Sequence, residues 1–383
     1  MRRNRLLYLI LIPLIGFQAC IEEYQPEIDK DDIGLYVVEG KVLSTGGMQT
    51  VRISISTSVY NPSLLPVNGC SVNVVDDEGN NYIAGNADEG VYQFQVPQMN
   101  LDPGCAFKLE IITPEGELIE SAWDTIQPNT EIDSVFYRIE EFYSEEELTY
   151  IPGIQFYVDF NGKDTHSKYI KFEVEETWKY ESAYPLRWTY YNRVLTTYDP
   201  PDYSKFTCWK TRFSPSIFTF STMHLDENRY KDFPLHHVMN NSIKLLKGYS
   251  LLFRQLVISE DAFLYYEKIK DNIVETGGLY ESQPQQIEGN LKNLTNPENR
   301  VLGYFLAAGA SDKRVFIDEI EGLELDPPDL CSPVPVSLGF LRYTVTPLYL
   351  WMEGGTSQLH ETCVDCTKRG GETTKPTFWP DEN

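Results

Sequence analysis

Positive charge is what this chain has least of: 32 lysines and arginines stand against 57 aspartates and glutamates in 383 residues, a formal net charge of −25. Nucleic-acid phosphates are gripped by Lys and Arg that displace counterions, so this imbalance argues against a DNA or RNA partner. Histidine is scarce as well, at five. His236 and His237 are adjacent, so on a strand they face opposite ways, and His360-Glu361 lacks the second histidine of a zinc-protease helix. There is no G-x-S-x-G elbow, no phosphate-binding glycine loop and no dinucleotide fingerprint. The residues therefore assign no catalytic group, metal or cofactor. Low-complexity tracts are also missing, and 42% hydrophobic with 23% charged residues describes a folded chain able to bury a sizeable core, with length for two domains.

No apolar run reaches the roughly 20 residues that a membrane-spanning helix needs, but a shorter one opens the chain. Arg2, Arg3 and Arg5 precede an apolar stretch at 6–17, which ends in Phe17-Gln18-Ala19-Cys20. Basic residues, a short apolar core and a small residue before cysteine resemble a bacterial lipoprotein signal at 1–19, cut so that Cys20 is acylated. The competing reading is an ordinary secretory signal with a chance cysteine. Several acyl chains would hold the protein stably, at about 0.8 kcal/mol per buried CH₂. Cleavage removes three arginines and leaves 29 basic against 57 acidic residues. Residues 20–33, with Glu22, Glu23, Glu27, Asp29, Asp31 and Asp32, read as an acidic tether.

Residues 34–128 carry short strands separated by turn signals. Segments 35–43, 50–56, 72–75, 82–84, 91–96, 107–112 and 118–120 alternate or run apolar between glycine- and aspartate-rich turns. About seven strands in this span predict a small Greek-key sandwich of immunoglobulin or prealbumin type. The turn Asp76-Asp77-Glu78-Gly79-Asn80 lacks the ligand spacing of a calcium loop and reads as a hairpin turn. A larger β-rich domain is expected at 130–383, with strands at 132–139, 154–160, 169–175, 301–307, 314–317 and 338–346. One helix is well signalled at about 259–276: Ser259 caps it, Glu260 and Asp261 suit its dipole, and Gly277-Gly278 end it. Ala262, Phe263, Tyr266, Ile269 and Ile273 recur on one face. The fold class is mainly β, a sandwich followed by a larger β-rich domain with one such helix.

Aromatics crowd residues 178–220. Trp178, Tyr184, Trp188, Tyr190, Tyr191 and Trp209 are candidates to stack on a sugar or grip a peptide, against the alternative that they fill a core. Six cysteines follow Cys20: Cys70, Cys105, Cys208, Cys331, Cys363 and Cys366. An even set in an exported chain reads as disulfides. Cys70 with Cys105 is the natural pair in the first domain, leaving the other four for the second and its tail. A zinc site on Cys363-x-x-Cys366 is the alternative, weakened because a zinc ribbon usually supplies two such pairs.

Several segments carry a family resemblance in order: Tyr36-Val37-Val38-Glu39-Gly40, Ser259-Glu260-Asp261-Ala262, Gly277-Gly278-Leu279, residues 283–290 ending in Gly289-Asn290, Val301-Leu302-Gly303-Tyr304-Phe305, and Cys363-Val364-Asp365-Cys366 running on to Lys375-Pro376-Thr377-Phe378-Trp379. The chain resembles the Bacteroidota lipoproteins with the domain of unknown function 4249 (DUF4249). That resemblance implies an outer-membrane lipoprotein facing the cell exterior, often encoded beside a TonB-dependent transporter of the SusC type, and it brings no catalytic residues. The expected function is a non-enzymatic binding or accessory subunit in nutrient uptake. The alternative is a hydrolase of glycans or peptides whose carboxylate pair is hidden among the 57 acids.

Overall fold

The computed structural model describes residues 34–57, 63–163, 165–275, 287–329, 331–343 and 346–381. The signal segment, Cys20, the tether and Gly277-Gly278 lie outside them, as does the Ile273 side chain. The protein is mainly β. Its largest sheet has 15 strands on one hydrogen-bonded network. One half is the sandwich expected at 34–128, where period-two burial in Met48–Ile55 sends Gln49, Val51 and Ile53 inward. Its core packs Val38, Val51, Tyr92 and Phe94 against Val74, Phe107, Leu109 and Ile119.

The sandwich is not built from 34–128 alone. Its first strand, Tyr36–Leu43, pairs on one side with Met48–Ile55 and on the other, in parallel, with Val301–Ile317. Leu291–Asn293 adds a further strand beside Leu118–Ser121. Glycines permit the seam. A Cβ at Gly303 would stand 1.9 Å from the Val38 carbonyl oxygen, and one at Gly289 would stand 1.5 Å from the Gly303 carbonyl oxygen. Gly303 also has φ +104°, a region open to glycine.

Beyond the seam, the sheet continues through Tyr249–Val257, Tyr169–Glu181 and Thr207–Phe213. A three-stranded sheet of Ser134–Ser144, Thr149–Asn161 and Arg229–Met239 covers this half. Ile154, Phe156, Val158 and Phe160 from the cover meet Ile170, Phe172, Leu251 and Phe253 below. A buried carboxylate locks the layers. Glu176 receives Lys244 Nζ at 2.7 and 2.8 Å and the Tyr249 hydroxyl at 3.1 Å, and it meets His236 Nε2 at 3.2 Å. Burial opposes its charge, but the hydrogen bonds and charges of His236 and Lys244 outweigh burial and draw the carboxyl down to about 2. His237 points the other way and stacks on Phe142 at 4.4 Å.

A five-stranded sheet joins the hairpin Leu186–Tyr191 and Val194–Asp202 to Leu348–Trp351, Ser357–Leu359 and Val334–Pro335. Helix α1, Glu260–Glu275, begins at Ser259, whose Oγ accepts the Ala262 N–H at 3.3 Å. Ala262, Phe263 and Tyr266 pack on Leu256, Tyr304 and Leu306 as the helical spacing predicted. The strand expected at 338–346 is instead helical: α2 runs Leu338–Tyr343, with the Phe340 N–H donating to Ser337 Oγ. A short apolar run reads equally as strand or helix, and the capping serine decides it. The strands expected at 301–307 and 314–317 are one 17-residue strand.

Disulfides join Cys208 to Cys366 and Cys331 to Cys363, with Cα atoms 5.8 and 5.5 Å apart. The C-x-x-C cysteines therefore serve two bridges rather than one zinc site. The pairing expected for Cys70 with Cys105 is corrected, since both are unbridged. Cys70 precedes Ser71–Asp76 and Cys105 precedes Ala106–Ile112, and these neighbours are antiparallel, with Ser71 opposite Ile112 and Asp76 opposite Phe107. The thiols thus sit at opposite ends of the pair, about 20 Å apart at ~3.4 Å per residue, whereas a bridge needs Cα atoms within about 7 Å.

Three measurements check these features. Thiol titration of the unfolded, unreduced chain from residue 21 onward should find Cys70 and Cys105 and no other; Cys208→Ser should cost about 3–5 kcal/mol by releasing a long loop. Glu176→Gln should destabilise by about 3 kcal/mol at neutral pH, because Lys244 loses its buried partner. A carboxyl lowered on folding contributes stability above its unfolded value of 4.5 and loses it as pH falls toward 2. The gap between wild type and Glu176→Gln in denaturant titrations should therefore close across that window.

Candidate functional site

A cleft of about 410 Å³ opens beside the seam, where residues 122–127, the start of α1, residues 288–290 and Tyr304 converge. Its floor is buried. Tyr304 packs against Tyr265 with ring centroids 4.9 Å apart, and burial raises both phenols. Asp124, 5% exposed, accepts the Thr125 N–H at 3.0 Å through one oxygen and the Ala307 N–H at 3.0 Å through the other. Burial raises its carboxyl above the ordinary range against the pull of Ala307 and Ser259, and neighbouring Asp261 adds to the rise. Asn290 closes the back: its amide donates to the Phe305 carbonyl at 2.8 Å and accepts the Phe305 N–H at 2.9 Å. The rim carries Trp123, half exposed, with Leu264, Asp261, Glu288 and Lys268. Lys108 Nζ lies 5.7 Å from the Trp123 ring centroid, so the rim sets both signs of charge around an apolar ring surface, a lining suited to a small polar molecule with an apolar face.

None of the sequence-predicted aromatics lines this cleft. Trp178 lies in the core between Lys244 and Lys210, at 5.1 and 6.0 Å from its ring centroid. Tyr184 and Trp188 pack on Trp351 at 4.7 and 6.0 Å, and Tyr190 packs on the Leu341, Leu348 and Leu350 cluster. Trp209 is half-buried and exchanges main-chain hydrogen bonds with Glu372. Tyr191 alone is exposed, at 49%. It sits beside the two-residue tip Asn192-Arg193, whose positive φ values of 48° and 64° suit the twist of a tight hairpin. Val194 and Leu195 are exposed next to it.

The aspartate-rich segment is a hairpin turn between Ser71–Asp76 and Asn81–Asp88. Asp76 accepts the N–H groups of Glu78 and Asn80, the Asn80 amide and the Tyr82 hydroxyl, so its lone pairs organise the hairpin. Among the described residues, no group of three or more His, Cys, Asp or Glu is placed to hold a metal. Sequence reading missed Trp123, Asp124 and Tyr265. A usable signal lay in the resemblance segments, since Ser259-Glu260-Asp261-Ala262, Gly289-Asn290 and Gly303-Tyr304-Phe305 all border the cleft or its back wall.

No curated protein matches the chain. Residues 21–314 match the family described as Domain of unknown function (DUF4249), and the chain belongs to that family.

Proposed function

We propose that this protein is a lipid-anchored, non-enzymatic binding subunit on the outer face of an outer membrane, working with a TonB-dependent transporter of the SusC type in nutrient uptake. The cleft beside α1 holds a small ligand, and the hairpin tip at Tyr191 contacts the transporter. The observation that carries this reading is the condition of Asp124: both of its oxygens are engaged by main-chain donors. A carboxyl so held shapes and charges a floor, whereas a general acid needs a proton directed at the substrate. The half-exposed Trp123 ring supplies stacking area at the rim. Anchoring comes from acylated Cys20, with residues 20–33 as spacer. Confinement to one membrane makes a weak contact with the transporter effective, and Tyr191, Val194 and Leu195 form a small projecting apolar surface for it.

The hydrolase reading draws on one specific feature, a burial-raised Asp124 carboxyl beside Asp261 in the same cleft. Mild-detergent purification from the native host separates the two. A transporter recovered in near-equal amount supports the binding subunit, and Tyr191→Glu with Leu195→Glu should lower that recovery several-fold. Recovery of the chain alone, with glycan or peptide cleavage that Asp124→Asn abolishes, would replace the proposal. Cys20→Ala should abolish labelling by a fatty-acid probe and leave the protein soluble or unprocessed; an unlabelled wild-type protein in the outer-membrane fraction would remove the anchor from the reading.

A further inference from the structure

Strands that end a sheet invite another strand unless something blocks them. Among the described residues most edges are blocked, and the second half of Val301–Ile317, paired on one side only, carries Asp312, Lys313 and Arg314 in succession. Thr207–Phe213 is bonded at Trp209 by Glu372, Leu291–Asn293 has three residues and Val334–Pro335 has two. Val194–Asp202 contains Pro200 and Pro201, and its pairing with Leu186–Tyr191 breaks register. Arg229–Met239 contains Pro234 and breaks register twice. The side strands Phe218–Ser221, Leu65–Pro66 and Asp124–Thr125 have four residues or fewer.

Ser134–Ser144 differs from all of them. It has eleven residues, with no proline, glycine or lysine, and an unbroken register against Thr149–Asn161. Tyr137, Ile139 and Tyr143 are exposed along it, and its outer main-chain side has no strand partner among the described residues.

We infer that this edge is a homodimer interface, in which Ser134–Ser144 pairs antiparallel with the same strand of a second copy about a two-fold axis at Ile139. The sequence selects both the occupant and the register. With the axis at Ile139, Arg138 of each copy lies opposite Glu140 of the other, Phe136 lies opposite Phe142, and Tyr137 lies opposite Glu141. Moving the axis one residue either way places Arg138 opposite Arg138, or Glu140 opposite Glu140, and like charges directly opposed are destabilising. The strand's charges thus repel shifted registers while completing the one that matches, as an isologous contact requires.

The paired groups are already held on the outer face of the sheet. Arg138 lies over the Tyr157 and Phe136 rings at 4.7 and 5.1 Å and bonds Asp232 at 2.9 Å, while Glu140 accepts from the Tyr157 hydroxyl. Ordering them on association therefore costs little. Long-range repulsion between two cleaved copies, each with 29 basic against 57 acidic residues and so a net −28, is screened within roughly 10 Å at physiological salt, which is where the contact should be measured.

The test uses the full chain in its native host membrane, with Cys70→Ser and Cys105→Ser to remove the native thiols. Under mild oxidation, Ile139→Cys should give a covalent dimer, since opposed residues across an antiparallel pair have Cα atoms about 4.5–5.5 Å apart. Tyr143→Cys should not, because its counterpart lies about 27 Å along the strand. Arg138→Glu should cut the Ile139→Cys dimer yield about tenfold or more, and Arg138→Glu with Glu140→Arg should restore it. Restoration also shows that the charge variants fold. Equal cross-linking at both cysteine positions, cross-linking at neither, or no restoration by the charge swap would overturn the interface.

Discussion

Everything in this molecule depends on one close approach of backbone to backbone, the parallel pairing of Tyr36–Leu43 with the first half of Val301–Ile317. It makes a single sheet out of two segments far apart in the chain, so neither the sandwich nor the larger half is complete without the other. Bringing distant segments together is less costly than it looks, because loop-closure entropy grows only with the logarithm of length. Steric fit is the harder requirement. Val38, Gly303 and Gly289 stack main chain on main chain, and a methyl group at either glycine would overlap a carbonyl oxygen. Gly40 meets the Phe305 ring in the same way, 2.8 Å from where its Cβ would be.

The cleft follows from that seam. Asp124 reaches across to the Ala307 N–H, and Asn290 brackets the main chain of Phe305. Both are side chains of the flanking segments bonded to the strand that joins the halves. Helix α1 then lies with its first turn against them, so Ser259 serves as helix cap and as donor to Asp124. A cavity survives because these polar bonds hold its back wall apart from the aromatic packing of Tyr265 and Tyr304. The cleft's floor chemistry is in this sense a by-product of joining the halves, whereas its rim, at Trp123, Asp261 and Glu288, takes no part in the seam's main-chain bonds.

Much of this was legible in the sequence for a physical reason: a strand with one buried face must alternate, and Met48–Ile55 and Ala106–Ile112 do. Helix α1 was legible through its cap and its apolar spacing. The seam was not, because no local pattern says which strand a distant one will pair with. Gly303 and Gly309 look like breaks in a strand, yet each lies where another backbone comes close; a Cβ at Gly309 would stand 2.1 Å from the Gln127 carbonyl oxygen. Cys70 and Cys105 misled for a related reason. Each immediately precedes a strand, and if those strands are antiparallel neighbours the two thiols are necessarily at opposite ends. The aromatic-rich stretch could be read as core or as surface, and burial divides it: Trp178 falls inside and Tyr191 falls outside.

The placement of the two disulfides ties the fold to the proposed location outside the cytoplasm. The five-stranded sheet has only two small clusters beneath it, one around Cys331, Leu359, Cys363 and Val364 and one around Leu341, Leu348 and Leu350. A core that small does not outweigh the entropy of ordering the segments it must hold. Each bridge removes part of that entropy from the unfolded chain, and Cys208–Cys366 does so across 158 residues, anchoring the tail against a strand of the main sheet. The main sheet, by contrast, has large continuous cores and carries its two other cysteines unbridged. Cys331–Cys363 therefore stands where hydrophobic burial is thinnest, in the small cluster with Leu359 and Val364, while Cys208–Cys366 is buried in the large core of the main sheet and fastens the tail to it. Outside the cytoplasm, where the protein is proposed to work, both bridges stay oxidised and keep limiting the unfolded chain's freedom.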